Sequence, residues 1–143
     1  MSSPLSARTV LLATSVVALA MVGLDLVWLG AIAQPFYQAQ LGPLMAKPPL
    51  LAPAAAFYLF YIGVIMAQAV APADSPKNAA GRGAWLGFVA YATYELTNWA
   101  VIQGWPAGLV PVDLGWGILL TAAVSGVGRA AWEWSERRVA SSQ

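Results

Sequence analysis

The sequence predicts an all-α integral membrane protein, a four-helix bundle with both termini in the cytoplasm. Its 143 residues are 59% hydrophobic and only 9% charged, whereas soluble domains have about a quarter of their residues charged. The mean hydropathy is +0.66. Four apolar stretches are each long enough to cross a hydrocarbon core of about 30 Å. Composition and stretch length therefore both favour a multi-pass membrane protein.

We place the spans at about 9–33, 51–71, 83–102 and 109–130, within a single membrane domain covering 1–143. The first span follows Arg8 and ends in Ala31-Ile32-Ala33, which resembles a signal-peptide cleavage site. Its apolar run is longer than that of a signal peptide and contains Asp25, so we expect a retained helix. Pro53 and Pro111 fall in the first turns of the second and fourth spans, where proline is tolerated.

The segments between the spans are short. Residues 34–50 predict a short interfacial helix that begins near Pro35, although an ordinary loop fits equally well. Residues 72–82 predict a polar turn and residues 103–108 a tight one, while 133–138 leave the membrane as a fraying tail. The third span opens with a GxxxG pattern, Gly83 to Gly87, which we interpret as a helix-packing surface.

The basic residues set the predicted orientation. Four spans put both termini on one side, and six of the seven basic residues then share that side, whereas Lys47 stands alone on the other. The positive-inside rule makes the shared side cytoplasmic. We therefore expect a bacterial cytoplasmic (inner) membrane protein. The six residues are Arg8, Lys77, Arg82, Arg129, Arg137 and Arg138.

Two missing residue types exclude whole classes of chemistry. The chain has no Cys and no His, so a disulfide framework, a zinc site, haem ligation through histidine and a histidine-dependent triad are all poor expectations. A net charge of +1 also argues against nucleic acid as a partner. Any chemistry has to use carboxylates, phenols, indoles and amides.

The stretch from Tyr91 to Trp99 places a carboxylate, an amide, two phenols and two hydroxyls inside the third span. Such groups are costly in hydrocarbon unless they find partners, which makes them a functional hypothesis. At ~1.5 Å per residue, Glu95 lies ~18 Å from the cytoplasmic boundary and Asp25 ~24 Å. Asp113 lies ~6 Å inside the outer boundary. All three intramembrane acids therefore converge on the outer half.

Helix spacing extends this to a predicted acid–aromatic pocket. Tyr91, Tyr94, Glu95 and Asn98 share one helix face, and Asp-Leu-x-Trp occurs in both the first and fourth spans. Structural alternatives stand beside this hypothesis: rim positions for Asp25 and Asp113, or an interhelical hydrogen bond for Glu95. The pocket candidates are Asp25, Trp28, Tyr58, Tyr61, Tyr91, Tyr94, Glu95, Asn98, Asp113 and Trp116.

No basic residue lies at the depth of the three acids, so three ionised carboxylates could not coexist there. Either some are protonated or a cation lies among them. No cofactor is predicted, but a hard cation such as Mg²⁺ or Ca²⁺ is compatible with oxygen ligands from Asp25, Glu95 and Asp113. A small organic cation, held by aromatic faces, is equally compatible.

Four separated motifs resemble a known family. They are Asp25-Leu26-Val27-Trp28-Leu29-Gly30, Phe36-Tyr37 with Gln40-Leu41-Gly42-Pro43-Leu44, Tyr91 to Asn98, and Gly104-Trp105-Pro106 with Asp113 to Gly117. This combination resembles a bacterial family of predicted four-span membrane proteins, domain of unknown function 2177. Members often carry Asp at the position of Glu95. The resemblance implies a multi-pass inner-membrane protein and brings no activity, substrate or catalytic residue.

Three function classes follow from these observations. The first is a carrier or binding protein for a cation, a proton-coupled solute or an amphipathic small molecule; small multidrug exporters are also four-span chains with a membrane-embedded Glu, but their motifs are absent here. Such a carrier would need to form a homodimer.

The second class is a membrane-embedded enzyme acting on a lipid or isoprenoid, with Glu95 as acid and Asp25 or Asp113 as base or cation stabiliser. The third is an accessory subunit of a larger membrane complex.

Overall fold

The computed structural model describes residues 7–141. These residues form five helices and no strand. Two helices end in a π-helical turn, at Trp28–Ile32 and Met66–Val70, and a short 3₁₀ turn, Gly42–Leu44, follows the second helix. The helices are α1 (Ala7–Ile32), α2 (Gln34–Leu41), α3 (Leu51–Val70), α4 (Pro76–Val101) and α5 (Leu109–Ala140).

Three of these helices, α1, α3 and α5, are long and apolar enough to cross a membrane. Helix α4 has 26 residues, or ~39 Å of length, so it is long enough as well. It is less apolar because it carries Glu95 and Asn98 along with several hydroxyl groups. Of these groups, Glu95 is buried in the protein, and Thr93 and Thr97 bond to carbonyl groups of their own helix.

Two helix ends differ from the sequence-based boundaries. Helix α4 begins at Pro76, inside the predicted polar turn of 72–82, because Ser75 caps it: the Asn78 amide donates to Ser75 Oγ at 3.2 Å. Helix α5 continues to Ala140, past the predicted fraying tail. Glu133 supports that extension through ion pairs with Arg129 at 3.2 Å and with Arg137 at 3.8 Å, each four residues away.

The short helix expected after the first span is present as α2. Pro35 lies in its first turn, and the helix ends at Gly42, whose φ of +45° suits glycine. No residue of α2 is fully buried. Tyr37 connects α2 to α5 through a hydrogen bond to Asp113, and Gln40 lies beside Gly108.

Helix α1 packs along α5 in the opposite direction. The Thr9 and Ser135 hydroxyls form a hydrogen bond of 2.9 Å at one end, and Asp25 bonds to Trp116 toward the other. The start of α1 therefore lies beside the end of α5. The buried side of α1 is one narrow stripe with every fourth residue inward: Thr9, Ala13, Val17, Met21 and Asp25.

Helix α4 packs very closely along α5 because glycines leave room for the neighbouring backbone. A Cβ at Gly87 would collide with the main chain of Gly117, and one at Gly117 would collide with the ring of Tyr91. A Cβ at Gly83 would meet Ser125 and the Thr121 carbonyl oxygen. The predicted GxxxG surface is thus confirmed as a packing surface.

These contacts fix the antiparallel register of the two helices. Gly83 lies against Ser125, Gly87 against Thr121 and Tyr91 against Gly117. Each step of four residues along α4 is therefore matched by a step of four backward along α5. One further step brings Glu95 opposite Asp113. The glycine contacts therefore position the two carboxyl groups as neighbours.

The α4–α5 contact generates a stability prediction. Gly87→Ala forces a methyl group against backbone atoms that cannot rotate away, so we expect a loss of about 1–3 kcal/mol in the free energy of unfolding, measured in detergent. The matched control is Gly81→Ala in the same helix, where a Cβ meets nothing within 4 Å. That control should be neutral or slightly stabilised, by up to about 1 kcal/mol. Equal stability of the two variants would contradict the packing argument.

Candidate functional site

Asp25 is buried among neutral hydrogen-bond donors from other helices. Its carboxylate is 5% exposed. The Tyr58 hydroxyl on α3 donates to Oδ2 at 3.0 Å, and the Trp116 indole N–H on α5 donates to Oδ1 at 3.0 Å. Each carboxylate oxygen therefore has a donor, and Asp25 links three helices. The rim position considered from sequence does not apply, because this side chain is inside.

The two Asp-Leu-x-Trp motifs meet each other. The rings of Trp28 and Trp116 are stacked, with centroids 4.5 Å apart and planes within 6°. Trp116 bonds to the Asp of the other motif, Asp25. Trp28 is linked toward Asp113 through Tyr37: its indole N–H donates to the Tyr37 hydroxyl at a long 3.5 Å. The tryptophan of each motif is therefore linked to the aspartate of the other motif, directly for Trp116 and through Tyr37 for Trp28, and the two indole rings stack between them.

Asp113 is also buried, at 7% exposed. The hydroxyl of Tyr37 donates a hydrogen bond to Asp113 Oδ1. Burial raises the pKa of Tyr37 above its ordinary value, and the hydrogen bond to Asp113 raises this pKa further. The phenol therefore keeps its proton and remains a donor to the carboxylate at ordinary pH.

Glu95 is the most deeply buried acid, with none of its surface exposed. The Trp105 indole N–H, from the turn between α4 and α5, donates to Oε2 at 2.9 Å. Within residues 7–141, Oε1 is buried and has no hydrogen-bond partner. The neighbouring acid is Asp113, which lies within hydrogen-bonding and electrostatic range of Glu95. When both acids are ionised, Oε1 is left open beside Asp113 without a donor.

The other polar groups between Tyr91 and Trp99 divide into two sets. Thr93 and Thr97 turn back onto their own helix, where Thr93 donates to the Val89 carbonyl at 2.7 Å and Thr97 to the Thr93 carbonyl at 2.5 Å. They are satisfied locally. Tyr91 packs its ring on Gly117 and lies within electrostatic range of Asp25 and Asp113, so its phenol is located between the acids.

Three other candidates lie at the margins of this arrangement. Tyr94 is half exposed and packs edge-on against Trp105, with centroids 5.9 Å apart. Asn98 interacts with the Tyr94 phenol one turn away. Tyr61 is buried in the core, where it shares a 2.9 Å hydrogen bond with Thr121 and bonds to no carboxylate. These three residues therefore lie near the acids but do not donate hydrogen bonds to their carboxylates.

The three acids do not form one metal-binding cluster. In the part of the chain that the structure describes, no group of three acidic side chains is arranged to hold a metal ion. Asp25 is enclosed by its own tyrosine and tryptophan, whereas Glu95 and Asp113 form a pair. The triangle of Asp25, Glu95 and Asp113 considered for Mg²⁺ or Ca²⁺ is therefore replaced by one isolated carboxylate and one pair. We call this pair, Glu95 with Asp113, the acid pair.

Two residues that bond to the acids, Tyr37 and Trp105, are not among the predicted pocket residues. Tyr37 falls in the predicted interfacial segment 34–50 and Trp105 in the predicted tight turn 103–108. Each lies in a connection between spans, so helix periodicity gives no information on where its side chain points. Gly104, with φ of +79°, is in the turn that brings Trp105 back toward Glu95. Only the folded turn reveals that contact.

The bond between Tyr37 and Asp113 generates a prediction with a pH signature. Tyr37→Phe should lower the free energy of unfolding by about 1–3 kcal/mol near pH 8, because it removes a hydrogen bond to a buried carboxylate. The raised pKa of Tyr37 means that its contribution is complete below the unfolded-state value of about 10 and declines as the pH rises above it. The difference between wild type and variant should therefore shrink above pH 10.

The control for this experiment is Tyr94→Phe. The phenol of Tyr94 is half exposed and bonds to no carboxylate, so its removal should cost less near pH 8. Chemical unfolding in detergent at pH 8 and at pH 10.5 measures both effects. A Tyr37→Phe loss that equals that of Tyr94→Phe, or that stays constant above pH 10, would contradict the assignment.

Comparison with known proteins gives a family and nothing beyond it. No curated protein and no solved structure matches the chain significantly. A family model described as a predicted membrane protein, domain of unknown function 2177, matches residues 10–130. That range contains every side chain that contacts the three buried acids. The chain thus belongs to the domain of unknown function 2177 family of predicted membrane proteins.

Proposed function

We propose that the protein is a carrier that couples movement of a small cation or amphipathic solute to protonation of the acid pair, Glu95 with Asp113. The observation that carries this proposal is the open oxygen of Glu95, buried beside a second carboxyl group with no basic residue bonded to either. Such an arrangement is costly unless a proton or cation occupies it.

A single proton would satisfy the acid pair. Two ionised carboxylates side by side in a low-dielectric site repel each other, and one proton shared between them would remove that repulsion. Protonated Glu95 would use Oε1 as a donor toward Asp113, which fills the open position. A cationic solute that enters would displace this proton, because it supplies the same positive charge. Binding of the cationic solute would then release the proton, and rebinding of the proton would release the solute.

The proposed membrane placement supports access from one side. In it, α4 is the third of four spans, both termini are cytoplasmic, and the acid pair lies in the outer half of a bacterial inner membrane. Two groups then cover the acid pair from the outer side: Tyr37 from α2 and Trp105 from the turn before α5. Movement of α2 would expose Asp113, and movement of the turn would expose Glu95. Because four helices rarely enclose a full pathway, the proposed carrier acts as a homodimer.

The acid pair also suits a second function, a membrane enzyme acting on a lipid or isoprenoid. A carboxylic acid next to a carboxylate supplies a proton donor and a proton acceptor in a dry site. Lipid extracts from cells with and without the gene distinguish the two functions. A changed lipid profile that Glu95→Gln also produces would favour the enzyme. Unchanged lipids together with proton-coupled transport would favour the carrier.

The carrier proposal predicts that Glu95→Gln uncouples transport. Gln has nearly the same shape but neither binds nor releases a proton. Proteoliposomes containing a pH dye and challenged with tetraphenylphosphonium and ethidium should show proton flux with wild-type protein. We expect the flux to fall at least about tenfold in the variant, which corresponds to about 1.4 kcal/mol of lost coupling.

The matched control is Glu133→Gln, which removes an acid that lies near the end of α5 and is paired with Arg129. It should transport like the wild type. Equal proton flux in wild type and Glu95→Gln across the cation panel would overturn the proposal. Trp105 offers a second readout, because its indole bonds to Glu95: a pH-dependent change in tryptophan fluorescence should be lost in Glu95→Gln.

A further inference from the structure

A groove of about 1030 Å³ lies between the end of α3 and the first half of α4, away from the acid pair. Its polar part is lined by the α3–α4 connection and the first turns of α4. Its apolar part continues along α4. The lining residues on which the argument depends are Asp74, Lys77, Arg82, Trp85 and Val89.

Two basic side chains at the polar end have no acidic partner among the described residues. The ion pairs formed within residues 7–141 lie on α5. Arg82 donates through Nε to the Gln68 carbonyl oxygen at 2.9 Å, which holds its stem across the groove. Its terminal N–H groups remain available as donors. Lys77 is exposed and lines the same groove, so the polar end presents two positive charges.

The same helix face becomes apolar one turn further along. Arg82, Trp85 and Val89 are spaced i, i+3 and i+7, so they share one side of α4. Trp85 lies where the apolar part of the helix begins, and it is 67% exposed. The side of α4 that packs on α5 is a different one, through Gly83 and Gly87. The groove therefore passes from a cationic end to an aromatic and aliphatic end.

We infer that this groove binds one anionic phospholipid with a phosphoglycerol head group. The phosphate would be held by Arg82 and Lys77, and an acyl chain would lie over Trp85 and Val89. Asp74 lines the polar end as well and already accepts a hydrogen bond from Ser75 at 2.9 Å. It would accept a further bond from a glycerol hydroxyl. The groove keeps an excess of one positive charge, which matches one phosphodiester.

The position of the groove along the protein fits a lipid head group. Ala80 and the Pro76 carbonyl oxygen lie about 3.5 Å from the Cβ position of Gly126 on α5. Gly126 lies near the middle of α5, about one turn before Arg129. Helix α3 ends at the same level, because Val70 packs beside Gly128. The groove thus opens beside the end of one apolar helix, with Lys77, Arg82 and Arg129 nearby, as expected near a membrane surface.

The test is retention of lipid by purified protein, measured by native mass spectrometry after exposure to phosphatidylglycerol, phosphatidylethanolamine or phosphatidylcholine micelles. We expect preferential retention of phosphatidylglycerol. The affinity should fall about fivefold for each basic residue removed, in Lys77→Gln and in Lys77→Gln/Arg82→Gln. The single variant keeps the test decisive if the double variant is unstable, because Lys77 forms no ion pair in the described chain.

The control variant is Arg138→Gln, a basic residue on α5 whose side chain packs over Trp134 outside the groove. It should retain phosphatidylglycerol like the wild type. Trp85→Ala should weaken lipid retention while leaving any binding of inorganic phosphate unchanged, which separates a lipid from a free anion. Equal retention of the three lipids, binding of inorganic phosphate without lipid, or identical behaviour of Lys77→Gln and Arg138→Gln would each overturn the inference. Proton flux through Glu95 is not involved, so either proposal can fail alone.

Discussion

Three carboxyl groups lie inside this apolar protein without a basic partner, and the arrangement of its helices depends on how they are satisfied. The hydrogen bonds to these carboxylates are donated by tyrosine hydroxyl and tryptophan N–H groups instead of by basic side chains. Asp25 receives donors from α3 and α5, Asp113 from α2, and Glu95 from the turn before α5. Because each donor comes from a different part of the chain, every bond is also a tertiary contact. In a membrane, where apolar surface gives little driving force between helices, such contacts help to specify which helices associate.

Close packing of α4 on α5 makes the chemistry of the acid pair available. Glycines at the contact bring the two backbones together and set the register that places Glu95 opposite Asp113. A helix pair at ordinary separation would leave room for water or for a basic side chain between the acids. Here both acids are buried, and one oxygen of Glu95 has no donor among the described residues. The glycines that allow α4 to pack closely on α5 therefore also bring the two carboxyl groups of the acid pair together.

Much of the architecture could be predicted from the sequence, because apolar length, proline position and GxxxG spacing are local signals. The short helix after the first span and the packing role of Gly83 and Gly87 follow from such signals, whereas the family follows from the resemblance of four separated motifs. Bonding partners were not. Tyr37 and Trp105 reach the acids from connecting segments, whose paths depend on the completed fold. The start of α4 was missed because the Ser75 cap and Pro76 occur in a stretch whose polarity resembles a turn.

The stacked indoles of Trp28 and Trp116 join the ends of two networks, one centred on Asp25 and the other reaching Asp113. Sliding of α1 along α5 by a single residue, ~1.5 Å, would offset the rings and strain both networks together. The two aspartates are therefore mechanically connected although they share no hydrogen bond. The stacked pair also gives the protein an intrinsic optical reporter, since parallel indoles 4.5 Å apart couple electronically and lose that coupling when the helices move.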